Sequence, residues 1–176
     1  MISEVRGQLN MCRAMTSSAA KSPNRLSKVE IGSSIGKAPS PEAESDRQLA
    51  IYDLLEANSF TLSNGITGPY TLHLSTLDQR LIFEFLNEAN QTYTIGLSLS
   101  PFRRVMKDYF EICDSYNMAV KASNPRAIEA IDMARRGIHN DGSTLLQERL
   151  AGKAEMDFAT ARRLFTLVCS LMWRAA

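Results

Sequence analysis

Residues 70–99 read YTLHLSTLDQRLIFEFLNEANQTYTIGLSL and alternate apolar with polar side chains over three short runs. Such alternation is typical of strands that bury one face and leave the other in solvent. The connections between the runs, near Leu77-Asp78 and Asn87–Gln91, are short enough for hairpins. The stretch therefore predicts a three-stranded antiparallel meander. Its inner face needs a cover, because it carries ten apolar residues: Tyr70, Leu72, Leu74, Leu81, Phe83, Phe85, Tyr93, Ile95, Leu97 and Leu99.

Segments with helical spacing on both sides of the meander supply that cover. Before it, Pro41–Asn58 predicts a helix whose apolar side carries Leu49, Tyr52 and Leu55, with Ile51 and Leu54 as further candidates. Four further helices are predicted after it: Phe102–Ala122, Pro125–Gly137, Thr144–Gly152 and a last helix capped by Asp157. Leu26–Ile31 predicts a short edge strand. The predicted class is α+β, with a three- to four-stranded antiparallel meander covered on one face by about five helices.

The composition is that of a small, nearly neutral domain. The chain has 176 residues, with 20 lysines and arginines against 19 acidic residues, and its net charge of +1 argues against binding to nucleic acid or an anionic membrane through bulk electrostatics. The longest apolar run, Leu164–Trp173, is about half of the roughly 20 residues that a membrane span needs. Cys12, Cys113 and Cys169 lie too far apart for a metal site. We expect a soluble cytoplasmic protein with no metal or cofactor.

The N-terminal segment differs from the rest of the chain. Residues 1–40 carry six lysines and arginines, two acidic residues and eight serines, and residues 1–26 show neither the strand period nor the helix period. We predict a mobile basic tail over residues 1–26 and a single α+β domain over residues 27–176. An arm that contacts an anionic partner is the alternative, and translation from Met11 or Met15 rather than Met1 stays open.

Three adjacent arginine pairs are candidates for anion binding: Arg103-Arg104, Arg135-Arg136 and Arg162-Arg163. The first pair follows Ser100-Pro101 at a predicted helix start, where the positive end of the helix dipole disfavours cations. Free backbone N–H groups and two guanidinium groups would together form an anion site there. The alternative is structural, because Arg104 can pair with Asp108 one turn along a solvent-exposed face.

His139 lies in the segment RRGIHNDG, residues 135–142, which we interpret as a polar break between two helices. A histidine beside Arg135, Arg136 and Asp141 would be able to act as a general acid or base. With the same arginines and Asn140 it would instead be able to hold a phosphate. The alternative is a plain Asn-Asp-Gly turn in which His139 caps the carbonyl groups of the preceding helix.

Several stretches resemble a bacterial family catalogued as uncharacterised protein family 0262. The resemblance covers about residues 27–174 and rests on the segments QLAIYDLLEANSF, GPYTLHLS, SPFRRVMKDYFEICDSY, AIEAIDMARRGIHNDGSTLLQERLAGK and DFATARRLFTLVCSLMWR. It implies a small cytoplasmic bacterial protein. It implies no activity, and no functional residue is transferred from it.

Three functional hypotheses follow from the sequence, of which the third is nucleic-acid binding through the basic tail. The first is a non-catalytic interaction or regulatory protein that binds an acidic protein segment or a phosphorylated ligand, with a homodimer left open. The second is a small enzyme that acts on an anionic metabolite through His139, Asp141 and the neighbouring arginines. If the Arg103-Arg104 pair and His139 meet in one concave pocket, a ligand-binding or enzymatic role is favoured.

Overall fold

A computed structural model describes residues 22–172 of the chain. In chain order the elements are β1 (Leu26–Ile31), α1 (Pro41–Glu56), β2 (Phe60–Leu62), β3 (Tyr70–Leu77), β4 (Arg80–Asn87), β5 (Thr92–Ser98), α2 (Arg103–Lys121), α3 (Pro125–Leu150), β6 (Ala154–Met156) and α4 (Phe158–Met172). The strands form one sheet in the order β1-β3-β4-β5 and a small ribbon of β2 with β6. The predicted α+β class is confirmed.

The three central strands form the predicted meander. β3 pairs antiparallel with β4, and β4 pairs antiparallel with β5, so that Phe83 lies opposite both Leu74 and Ile95. These three side chains are buried, whereas the polar side chains of the other face are half-buried or exposed. The period of two therefore assigns the inner face correctly.

β1 was predicted as a strand, but its direction differs from the antiparallel prediction. It pairs parallel with β3, with Val29 opposite Leu72 and Ile31 opposite Leu74. Parallel neighbours need a long crossover connection, and α1 lies within the connection from β1 to β3. The sheet is therefore mixed, and a pattern within one strand cannot specify this direction.

The buried face of α1 differs from the predicted one. Leu49 and Tyr52 are 58% and 61% exposed, and the buried residues are Arg47, Ala50 and Leu54. α1 packs against α4, and the spacing of three and four residues between 47, 50 and 54 places them on one stripe facing that helix. Leu49 and Tyr52 lie outside this stripe, so the prediction of their inward orientation was wrong.

α3 is one continuous helix, and the predicted break at residues 137–144 was wrong. Gly137 lies exposed within it, with no atom within 4 Å of a hypothetical Cβ. Gly142 packs against the ring of Phe165, and the Ser143 hydroxyl donates to the His139 carbonyl oxygen at 2.7 Å. Tertiary packing thus overrides the turn preference of Asn-Asp-Gly. The described residues contain four α-helices instead of the predicted five.

One hydrophobic core joins the sheet and the helices. α4 contributes seven residues to it, among them Leu164, Phe165 and Val168. On the sheet side, the fully buried rings of Phe60 and Phe85 stack with centroids 5.1 Å apart. None of the helices between residues 22 and 172 is both long and apolar enough to cross a bilayer.

Most of the predicted tail lies outside the described residues. Within residues 22–26, the Arg25 carbonyl oxygen accepts a hydrogen bond from the Tyr70 backbone N–H at 2.8 Å, and Leu26 is buried. The Asn24 side chain accepts a hydrogen bond from the Gly68 N–H at 3.0 Å. The mobility predicted for residues 1–21 stays a prediction.

Candidate functional site

A concave cavity of about 420 Å³ lies between α2, α3 and α4. This volume is within the usual range for small-ligand sites. Four arginines and one histidine dominate the lining, which consists of Tyr109, Arg135, Arg136, His139, Ala159, Arg162, Arg163 and Thr166. The cavity therefore combines ligand-sized space with a strong positive charge.

The two helices that carry the arginines run antiparallel. His139 Nε2 lies 2.9 Å from Thr166 Oγ1. Farther along α3, the Gln147 side chain donates to the Met156 carbonyl oxygen at 3.0 Å, just before α4 begins. Later residues of α3 thus contact earlier parts of the α4 region. The His139–Thr166 contact is the polar link between the helices at the cavity.

On α3, one carboxylate holds both arginines. Asp132 Oδ1 accepts from Arg135 Nη2 at 2.6 Å, and Asp132 Oδ2 lies 2.7 Å from Arg136 Nη2. The hydrogen bond from Arg135, together with the charge of Arg136, holds the pKa of Asp132 below its ordinary value, so the carboxylate stays ionised at neutral pH. The Arg135 guanidinium also lies over the Tyr116 ring, 5.4 Å from its centroid. These contacts orient the α3 arginines.

On α4, the arginines lack such a partner. Among residues 22–172, neither Arg162 nor Arg163 forms an ion pair. Both lie in the N-terminal half of α4. The Asp157 side chain accepts from the Thr160 N–H at 2.7 Å, and Ala159, in the first turn, lines the cavity. This wall therefore carries positive charge that no described acidic side chain neutralises.

His139 forms the buried part of the cavity. It is 6% exposed, and its ring centroid lies 5.3 Å from those of both Tyr109 and Phe165. Burial, then the charges of Arg162 and Arg135, lower its pKa to about 4, so the imidazole is neutral at pH 7.

The hydrogen bonds around His139 indicate one tautomer. The Thr166 hydroxyl donates to the Arg162 carbonyl oxygen at 3.1 Å, so its oxygen remains to accept from the imidazole. The proton is then on Nε2, and Nδ1 is an acceptor. Nδ1 is buried and has no hydrogen-bond partner among the described residues. His139 is thus a neutral hydrogen-bonding group fixed beside the arginines.

Five of the candidate residues predicted from the sequence line this cavity: Arg135, Arg136, His139, Arg162 and Arg163. The Arg103-Arg104 pair does not line the cavity. This pair and His139 therefore do not meet in one pocket, which is the arrangement that would have favoured a joint ligand-binding or enzymatic role. Arg103 donates to the Gln79 side chain at 3.0 Å, and Arg104 Nε lies 3.9 Å from Asp108, as in the structural alternative.

Asn140 and Asp141 also lie outside the cavity lining. Asp141 is exposed on α3, and Asn140 Oδ1 is buried without a hydrogen-bond partner in the described part of the chain. From α4, the cavity includes Thr166 in addition to the predicted pair Arg162-Arg163. The sequence contains a signal for this, because Arg-Arg precedes His139 and Thr166 by the same four and three positions.

A metal centre is not apparent in the described region. Between residues 22 and 172, no three histidine, cysteine or acidic side chains lie close enough together to hold a metal ion.

Comparison with known proteins places the chain among bacterial relatives. A family model described as an uncharacterised protein family, UPF0262, matches residues 23–174. The chain is similar to a UPF0262 protein of Paracoccus denitrificans, with 53% identity over 159 residues that cover 87% of this chain and 98% of the relative. A UPF0262 protein of Hyphomonas neptunium is 54% identical over 149 residues, which cover 84% of this chain and 92% of the relative. No solved structure matches the chain.

Proposed function

The chain belongs to the uncharacterised protein family UPF0262, whose name assigns no activity, and we propose that it is a non-catalytic module that binds a phosphate-bearing ligand in the basic cavity. One observation carries the proposal. Four guanidinium groups line a single cavity, and Asp132 is the one carboxylate that pairs with any of them among the described residues. The excess positive charge favours an anion.

The chemistry of the wall suits an oxyanion such as phosphate. Guanidinium groups present planar pairs of N–H donors that match the oxygens of phosphate in a two-point hydrogen bond. At the start of α4 the Asp157 carboxylate accepts from the Thr160 N–H and offsets the helix dipole, so the positive charge on this side comes from Arg162 and Arg163 themselves. A concave wall also shields these interactions from water better than a convex surface does.

The properties of His139 support binding over acid–base catalysis. With a pKa of about 4, its imidazole carries no second proton to donate at neutral pH. Asp141, which the enzymatic hypothesis pairs with it, is exposed and outside the cavity lining. The Thr166 hydroxyl already donates to a main-chain carbonyl. A phosphorylated partner protein, a homodimer and a cytoplasmic location stay predictions that are compatible with this role.

Anion-dependent stabilisation tests the proposal. We expect inorganic phosphate, added at constant ionic strength, to raise the melting temperature of the parent, because a ligand that binds only the folded state stabilises it by mass action. At about 100 times the dissociation constant the gain is about 2.7 kcal/mol, or roughly 5–10 °C for a chain of this length. The Arg162→Gln/Arg163→Gln variant should lose most of this shift.

A matched control separates the cavity from general charge effects. Arg103→Gln/Arg104→Gln removes the same charge from an adjacent pair outside the cavity lining, and it should keep the parental shift. An equal phosphate response in the two double variants would contradict the proposal, as would the lack of any response in the parent.

A further inference from the structure

The cavity contains the same arrangement of residues twice. Arg135 and Arg136 precede His139 by four and three positions on α3, and Arg162 and Arg163 precede Thr166 by four and three positions on α4. In an α-helix these offsets place each pair one turn before the residue that makes the central hydrogen bond. Each helix thus contributes one arginine pair and one member of the His139–Thr166 contact.

The antiparallel direction of the helices separates the two pairs. Each arginine pair lies one turn N-terminal to the His139–Thr166 contact on its own helix. Because the helices are antiparallel, the two pairs lie in opposite directions from this contact. With a rise of 1.5 Å per residue, the two pairs start about 10 Å apart along the helix axes. They are therefore arranged on either side of His139 and Thr166, with the cavity spanning both.

Asp132 keeps the α3 pair at its own end. It lies a further three positions before Arg135, and its two carboxylate oxygens hold Arg135 and Arg136 at 2.6 and 2.7 Å. A guanidinium group of this pair that moved across the central contact toward α4 would have to break its ion pair with Asp132. One phosphate group held by the α4 pair is thus badly placed to satisfy the α3 pair as well.

We propose that the basic cavity takes a bisphosphate, a small molecule with two phosphate groups, one held by the arginine pair of α3 and the other by that of α4. This inference rests on the proposed function and specifies its ligand class. The neutral His139 and Thr166 lie between the two anion positions, where the uncharged part of such a ligand would pass. Two linked anions gain affinity because the second group binds at a high effective concentration.

Calorimetric titration of the full chain with three anions tests the inference. At fixed ionic strength and pH, we compare inorganic phosphate with methylenediphosphonate and propane-1,3-diphosphonate, which resist hydrolysis and differ in the distance between their two groups. At least one diphosphonate should bind about ten-fold or more tightly than phosphate. The better of the two reports the spacing of the arginine pairs.

Single substitutions on each helix test the two-site arrangement. Arg136→Gln and Arg162→Gln remove one exposed guanidinium from α3 and from α4, and each should bring the ratio of diphosphonate to phosphate affinity close to one. Arg103→Gln, which removes the same charge outside the cavity lining, should leave this ratio at its parental value.

The outcomes distinguish the two proposals. Phosphate binding with no gain for either diphosphonate would overturn the bisphosphate inference and leave the proposed function standing. A gain that survives both Arg136→Gln and Arg162→Gln would also overturn it, because neither pair would then hold the second group. If none of the three anions binds the parent, both proposals fail.

Discussion

The sheet and the α3–α4 pair bury their residues in different ways. On the sheet, the buried face of β3–β5 is built from large apolar side chains such as Leu72, Phe83 and Ile95, whose burial needs no particular partner. Between α3 and α4, the buried residues include Gly142, Ser143 and His139, each of which fits only against its specific neighbour. The sheet is stabilised mainly by the burial of apolar area. The α3–α4 contact depends in addition on close packing at Gly142 and on the hydrogen bonds of Ser143 and His139.

This difference explains which region holds the candidate site. An apolar face that is packed to high density leaves neither space nor polar groups for an anion. The α3–α4 contact combines apolar residues such as Leu146 and Phe165 with the small or polar Gly142, Ser143 and His139, and its rim carries the four arginines. Function is thus expected where the packing is specific rather than where it is most apolar.

The largest expected effect is the loss of a large ring from the sheet. Phe83 is fully buried, so Phe83→Ala should lower the free energy of unfolding by about 3–5 kcal/mol through lost burial and a residual cavity. Leu86→Ala, on the outer face of the same strand, removes a side chain that is 38% exposed and should cost below about 1 kcal/mol. Urea denaturation of both variants measures the contrast, and equal costs would show that the two faces of β4 are not distinct.

A smaller, pH-dependent effect is expected from His139. Its pKa is about 4 when folded and 6.5 ordinarily, so between pH 6.5 and 4 the unfolded chain binds a proton that the folded chain does not. The contribution of neutral His139 to the free energy of unfolding is complete above pH 6.5 and falls as the pH drops through this window. The total loss of stability amounts to at most about 3 kcal/mol.

His139→Leu provides the comparison for this pH dependence, because other acidic groups also titrate in the same range. From pH 7.5 to pH 4.5, the unfolding free energy of the parent should fall by more than that of the variant. Urea denaturation in a buffer without phosphate measures both values. A difference that stays constant over this range would show that His139 is not buried as a neutral group.

Two glycines of α3 sharpen the comparison within one helix. A Cβ at position 142 would overlap the fully buried ring of Phe165, so Gly142→Ala should destabilise by about 1–3 kcal/mol. Gly137 is exposed and open, so Gly137→Ala should stabilise by about 0.5–1 kcal/mol through improved helix propensity. Thermal unfolding of the pair should give shifts of opposite sign, and two stabilising substitutions would rule out close packing at Gly142.

The smallest effect is expected on α1. Leu49 is exposed although its position in the helical pattern predicts burial, so Leu49→Gln should change stability by less than about 0.5 kcal/mol. Leu54→Ala, on the buried stripe, should cost about 2–5 kcal/mol. A large loss in Leu49→Gln, measured by the same denaturation, would reveal a contact that covers this outer face, such as a second copy of the chain.

The sheet could be predicted from the sequence because each central strand buries one face and exposes the other, which leaves a clear alternation of apolar and polar residues. Alternation over β3, β4 and β5 assigns their inner residues directly. The direction of β1 is set by the path of α1, which no local pattern encodes. β2 and β6 were missed, since three residues each, Phe60–Leu62 and Ala154–Met156, are too short to display a period.

The candidate site was predicted only in part. Arg135, Arg136, His139 and the Arg162-Arg163 pair were selected from the sequence. Gly137 and the Asn-Asp-Gly segment, however, were interpreted as a break, which hid the helical register that places the three α3 residues on one face. Arg162 and Arg163 join them through antiparallel packing over a separation of 27 residues, as in the contact from His139 to Thr166. Such a long-range contact follows from the tertiary fold and not from any local preference.

The place of α4 in the chain matters for how the protein is made. Phe158–Met172 supplies nine buried residues and is the last described element to leave the ribosome. Before α4 emerges, all strands of the four-stranded sheet have been synthesised, but a large share of the core that packs with that sheet is still missing. Apolar surface therefore stays open to chaperones and to aggregation during translation. The core is therefore completed only when α4, the last of the described elements, has been synthesised.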